Sequence, residues 1–173
     1  MVHPKKVDKD NQYKLALGAL IMSASHLEML ILDLMSLAMG ADIVSTIIVA
    51  GHQQASSKID CLIALVRANA GDANKDIQDT ENGPVKVLLR ARELLDFRNS
   101  VVHAFWIENE DGGLSSTRFS ARQRFTRSRK PQKPATMTAY ADEMDTISDR
   151  LEAWRDDWAK SEEPSPLGDR EPK

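Results

Sequence analysis

Apolar residues recur at helical spacing over most of this chain, and the pattern divides it into segments. Leu20, Ala24, Leu27, Ile31, Leu34 and Ala38 form one seam. Ile21, Ser25, Glu28, Leu32, Met35 and Met39 form a second beside it. The spacing predicts a helix from about Asp10 to Met39, stopped by Gly40. Two adjacent seams predict burial on two sides, as in the middle of a bundle or where a bundle meets a second copy. Asp42 is placed to cap a short helix over Ile43–Ala50. A further helix is predicted over Gln53–Ala70, with Ile59, Leu62, Ile63 and Val66 inward.

Residues 71–83 are polar and acidic and read as a loop. Pro84 suits the first turn of the next helix, which runs to about Ala104 with Leu88, Ala91, Leu95 and Val102 on one face. The period then changes. Phe105, Trp106 and Ile107 are strand formers, and Asp111-Gly112-Gly113 is a hairpin signal. The returning strand is predicted from Leu114 to about Thr126, with Phe119, Ala121 and Phe125 on one face and Arg118, Ser120, Arg122 and Arg124 on the other. Pro131 and Pro134 mark a loop. The last helix is predicted from about Thr138 to Lys160, with Tyr140, Met144, Ile147, Leu151, Trp154 and Trp158 as its stripe.

A two-stranded ribbon is not stable alone, so it must lie on the helices. The predicted fold is therefore all-α: a bundle of four or five helices with a β-hairpin inserted before the last helix. Residues 1–9 are expected as a flexible arm, 10–160 as a single domain and 161–173 as a disordered tail.

Composition changes this picture little. Hydrophobic residues at 42% and charged residues at 28% are ordinary values for a soluble domain, and a chain of 173 residues can bury a real core. The single cysteine, Cys61, is expected as a small buried hydrophobe and allows no intrachain disulfide. The first residues lack the apolar core of a signal peptide. Glu28 and Asp33 interrupt the longest apolar stretch, so no membrane span is expected and a cytoplasmic location fits.

Charge placement changes it more. Arg118, Arg122, Arg124, Arg127, Arg129, Lys130 and Lys133 fall within residues 118–133, with no acid among them. The chain carries −3 in total, so the other residues carry −10. Such segregation points to a seat for a polyanion, with RNA the favoured partner, or else to a solvated edge.

Two charges also sit among apolar positions. Arg98 lies on the apolar face of the helix opened by Pro84, and Glu28 within the second seam of the first helix. A charge there is costly unless paired. Either Glu28 reaches solvent at the seam's edge, or it pairs with a cation, for which Arg98 is the natural candidate. Asp96, Asn99 and His103 make a polar stripe beside Arg98.

The run Arg98-Asn99-x-x-x-His103 resembles the Arg-x(4–6)-His motif of HEPN-domain proteins, many of which are metal-independent ribonucleases. The resemblance is close over this helix and extends to the all-helical layout of residues 10–160. It implies a homodimer through the motif helix, with the Arg/His pairs of two protomers in one composite site. It also implies an RNA substrate, no cofactor, and products with a 2′,3′-cyclic phosphate and a 5′-hydroxyl. His103 would be the base or acid, Arg98 the phosphate clamp, Asn99 an orienting partner and Glu28 a supporting one. A histidine titrates near neutrality, and an arginine offers a planar fork matched to phosphate. A toxin or phage-defence effector is the implied role. The alternative is a non-catalytic HEPN-like module that binds RNA or a protein such as an antitoxin. No nucleotide-binding glycine loop, nucleophile elbow or zinc spacing occurs among His3, His26, His52, His103 and Cys61.

Overall fold

The computed structural model describes residues 4–70, 80, 83–120 and 126–161. Among these the fold is mainly α, with five helices and one small antiparallel sheet: α1 (Pro4–Met39), α2 (Ile43–Ala50), α3 (Ala55–Ala70), α4 (Pro84–Val102), β1 (Phe105–Glu108), β2 (Leu114–Ser120), β3 (Thr126–Gln132) and α5 (Pro134–Ser161).

The helices form where the apolar seams lie. Leu20, Ala24, Leu27, Ile31 and Leu34 of α1 are buried against α3, α4 and α5. Leu88, Ala91 and Leu95 of α4 meet them, together with Met144, Ile147 and Leu151 of α5. Each of the buried Leu, Ile and Met side chains contributes about 1.5–3 kcal/mol on burial. Gly40, at φ +61°, ends α1 in the left-handed conformation that other residues resist. The Asp42 carboxylate caps α2, accepting from the Ser45 backbone N–H at 2.9 Å.

Several expectations need correction. Helix α1 begins at Pro4, so most of the expected N-terminal arm is helical. Its second seam is fully buried only at Leu32 and Met35, while Ile21 and Met39 stay exposed. On α4 it is Val101 that is fully buried, and Val102 only in part. Cys61 is exposed, because it precedes Leu62 by one residue and so points about 100° away from the buried face.

The expected hairpin is a three-stranded sheet in the order β1-β2-β3. The segment 126–132, expected to run from a strand end into a loop, is its third strand. Pro131 lies on this edge strand opposite Ser115, where the missing N–H can face outward. The turn between β1 and β2 is the Asp-Gly-Gly turn, with Gly112 at φ +70°.

Tyr13 fastens this sheet to α1. Its hydroxyl donates to the Gln132 carbonyl at 2.8 Å and accepts from the Leu114 N–H at 3.3 Å. Trp106 Nε1 donates to the Val101 carbonyl at 3.2 Å, satisfying a carbonyl at the end of α4 and folding β1 back against it. The last helix starts at Pro134 rather than Thr138 and keeps its expected stripe. Residues 71–79, 81–82, 121–125 and 162–173, which include most of the predicted loop and tail, lie outside the described residues.

Helix α1 is the one described helix long and apolar enough to cross a membrane by length and composition. Its Leu20, Leu27 and Ile31 are buried in the bundle, whereas Leu15, Ile21, Met22 and Met29 of the same helix are exposed.

Candidate functional site

A polar cleft of about 540 Å³ opens at the C-terminal end of α4. One wall is the stripe Asp96, Arg98, Asn99 and His103; the other is Gln53 to Ser56, where the chain enters α3; Glu28 of α1 reaches in from the core. The four candidate residues of the motif, Glu28, Arg98, Asn99 and His103, are thus brought together.

Their placement follows from helix geometry. Arg98 lies three residues beyond Leu95 and three before Val101, both buried, so its stem lies along the core and its head turns toward the cleft. His103 is the C-cap of α4, with its backbone N–H on the Asn99 carbonyl at 3.3 Å. The helix ends at Val102 rather than Ala104, and His103, just past its end, is exposed at the rim. The Asn99 amide and the His103 ring make no side-chain hydrogen bond to a described residue. Both remain available to a ligand.

Glu28 accepts from Arg98 Nη2 through Oε1, and its Oε2 lies 3.5 Å from Lys58 Nζ. One carboxylate therefore serves two cations, from α4 and α3. Lys58 is the more deeply placed, with 4% of its side chain exposed against 19% for Arg98 and 26% for Glu28. Burial lowers the pKa of both the Lys58 amine and the Arg98 guanidinium. Glu28 offsets that cost by pairing with both. Arg98 Nε is buried without a partner, so the guanidinium is not saturated by Glu28.

The sequence pattern flagged Glu28 and Arg98 and missed Lys58. The same signal was there: Lys58 stands four residues before Leu62 and adjoins Ile59, a charge on the buried face of α3.

The basic segment is placed differently. Arg129 and Lys130 are exposed on β3, on opposite faces of the sheet since they are consecutive in a strand. Arg129 Nη2 donates to Asn109 Oδ1 at 2.5 Å. The backbones of Arg118 and Arg127 lie in β2 and β3, opposite Ser128 and Phe119. Arg122 and Arg124, with Phe125, lie outside the described residues. Arg129 and Lys130 do not line the cleft. His26 pairs with Glu152 at 3.3 Å on the surface and does not line the cleft either. Among the described residues no group of three or more His, Cys, Asp or Glu is disposed to hold a metal ion.

Comparison with protein-family models, with curated proteins and with solved structures finds no match to this chain.

Proposed function

We propose that this chain is a HEPN-type endoribonuclease that cleaves RNA by attack of a 2′-hydroxyl on the adjacent phosphorus. The observation that carries the reading is the single cleft that gathers Arg98, Asn99 and His103 with Glu28 behind them. Such cleavage needs a base for the 2′-hydroxyl proton and a cation for the charge that builds on the phosphate oxygens. The exposed His103 ring suits the first task. Arg98, anchored through Nη2 and lining the cleft, suits the second. Asn99, one residue from Arg98 and free in its amide, can hold a phosphate oxygen or orient the histidine.

In this reading the protein works as a homodimer with two motif helices facing each other, in the cytoplasm, as a toxin or phage-defence effector. Four aliphatic residues of α2, Val44, Ile47, Ile48 and Val49, are exposed just before the Gln53–Ser56 wall of the cleft. Aliphatic surface of that kind is commonly covered by another subunit. The basic residues of β2 and β3, including Arg118, Arg127, Arg129 and Lys130, together with Arg122 and Arg124 between those strands, would draw the RNA backbone toward the molecule.

The test is product analysis on single-stranded RNA in excess EDTA. The reading requires fragments ending in a 2′,3′-cyclic phosphate with 5′-hydroxyl partners. It also requires that a 2′-deoxy residue at a cut site block cleavage there. Wild-type protein that binds RNA and cleaves none would instead fit a non-catalytic binding module with the same cleft.

A further inference from the structure

The structure assigns Lys58 a task in the same cleft: by holding one oxygen of Glu28, it leaves Arg98 with net positive charge to present to a phosphate. The inference rests on reading the cleft as a phosphate site. It concerns how that site keeps its charge.

Glu28, Lys58 and Arg98 come from α1, α3 and α4 and meet at one carboxylate. With all three charged, the cluster carries +1, set against the Asp96 carboxylate that also lines the cleft. Without Lys58, Glu28 and Arg98 cancel, and the guanidinium faces the cleft as half of a neutral pair. At separations of a few ångströms in a partly dry site, that difference acts directly on an incoming anion. Lys58 itself is too deeply buried to touch a ligand, and it does not line the cleft. It is therefore a positioning residue, acting through Glu28. Its burial lowers its pKa, so keeping an ammonium there is costly to folding. A methionine of similar length would pack the same space without that cost.

Arg98 Nε is buried without a partner, which marks the Glu28 contact as a single-point one rather than leaving a donor for a ligand. Glu28 is the acceptor bonded to Arg98 among the described residues, through Nη2 alone, and its second oxygen is turned to Lys58. A bidentate Glu28–Arg98 pair would neutralise the guanidinium more completely. Lys58 prevents it from closing.

The experiment measures binding of a fluorescein-labelled 2′-O-methyl oligonucleotide, which lacks the nucleophile, to full-length protein. Four forms are compared: wild type, Lys58→Met, Glu28→Gln and the double variant. Lys58→Met is expected to bind roughly tenfold more weakly, the equivalent of one lost favourable charge at the site. The double variant is expected to bind within about twofold of Glu28→Gln alone, because without the Glu28 charge nothing remains for Lys58 to divert.

A merely structural lysine would not show that rescue. Lys58→Met binding like wild type, or an equal loss when Lys58→Met is added to Glu28→Gln, overturns the inference. Wild-type protein that fails to bind the probe overturns it as well. The nuclease reading fails separately: wild type that binds the probe and cleaves no RNA removes that reading and leaves the role of Lys58 standing.

Discussion

Glu28 and Arg98, seventy positions apart in the chain, meet at the inner wall of the cleft. Each is a charge set among apolar neighbours on its own helix, and each supplies what the other lacks. This pairing ties α1 to α4 at the level of the motif and fixes the guanidinium that the proposed chemistry needs.

Removing the carboxylate therefore has a large expected effect on stability. Glu28→Gln leaves Lys58 and Arg98 without a counter-charge. A fully buried pair broken in this way loses about 3–5 kcal/mol. With Glu28 and Arg98 partly exposed, the loss should be about 2 kcal/mol, read as a lower urea midpoint at unchanged slope. A midpoint equal to wild type would mean that solvent already screens the pair.

A second ion pair makes stability depend on acid. Arg90 donates to Glu143 through Nε at 2.7 Å and Nη2 at 2.8 Å, joining α4 to α5. The Arg90 guanidinium holds the Glu143 carboxyl below its ordinary value. Its contribution is therefore present above the unfolded-state pKa near 4.5 and is lost as pH falls through the lower folded-state value. Both side chains are more than a third exposed, so solvent screening limits the gain to about 0.5 kcal/mol. Glu143→Gln should flatten the fall in melting temperature below about pH 4.5 while costing little at pH 7. An unchanged acid limb would remove Glu143 from that account.

The sheet is expected to depend on one hydroxyl. Tyr13→Phe strands the Gln132 carbonyl and the Leu114 N–H together, at a cost of about 1–3 kcal/mol. Amide exchange at Leu114 should quicken while α1, α4 and α5 remain protected. Equal protection in the variant would show that Trp106, edge-on to Tyr13 at 6.3 Å, holds the sheet by packing.

How much of this could be read from the sequence depends on how local each signal was. The helices were legible because their apolar residues repeat at 3.6-residue spacing. The Glu28–Arg98 pair was legible as a pairing of two misplaced charges. Lys58 was passed over, although it shares the face of Leu62, because Ser57 before it and Asp60 two residues on give that turn the look of ordinary helix surface. Strand β3 was hidden by Pro131 and its run of basic residues, which lack the alternation that marks a half-buried strand. Cys61 was misread because position in an apolar run says less than position around the helix.

RNA binding, if the basic strands contribute, should weaken steeply with salt. Charge reversal at Arg129 and Lys130 should lower affinity for every RNA sequence alike and reduce the slope of log K against log salt by roughly 1–2. An unchanged slope would leave these side chains as a solvated edge of the sheet.

The most direct test of the central claim is the single-turnover rate of RNA cleavage, in excess EDTA, by wild type and by His103→Ala. The variant's fold is checked by its melting temperature. His103 is exposed at the end of α4, so its loss should leave that temperature nearly unchanged. The account expects the rate to fall by roughly 10²–10⁴-fold, the usual contribution of a positioned general acid or base. Cleavage by His103→Ala at the wild-type rate, or wild-type cleavage abolished by EDTA, would contradict it.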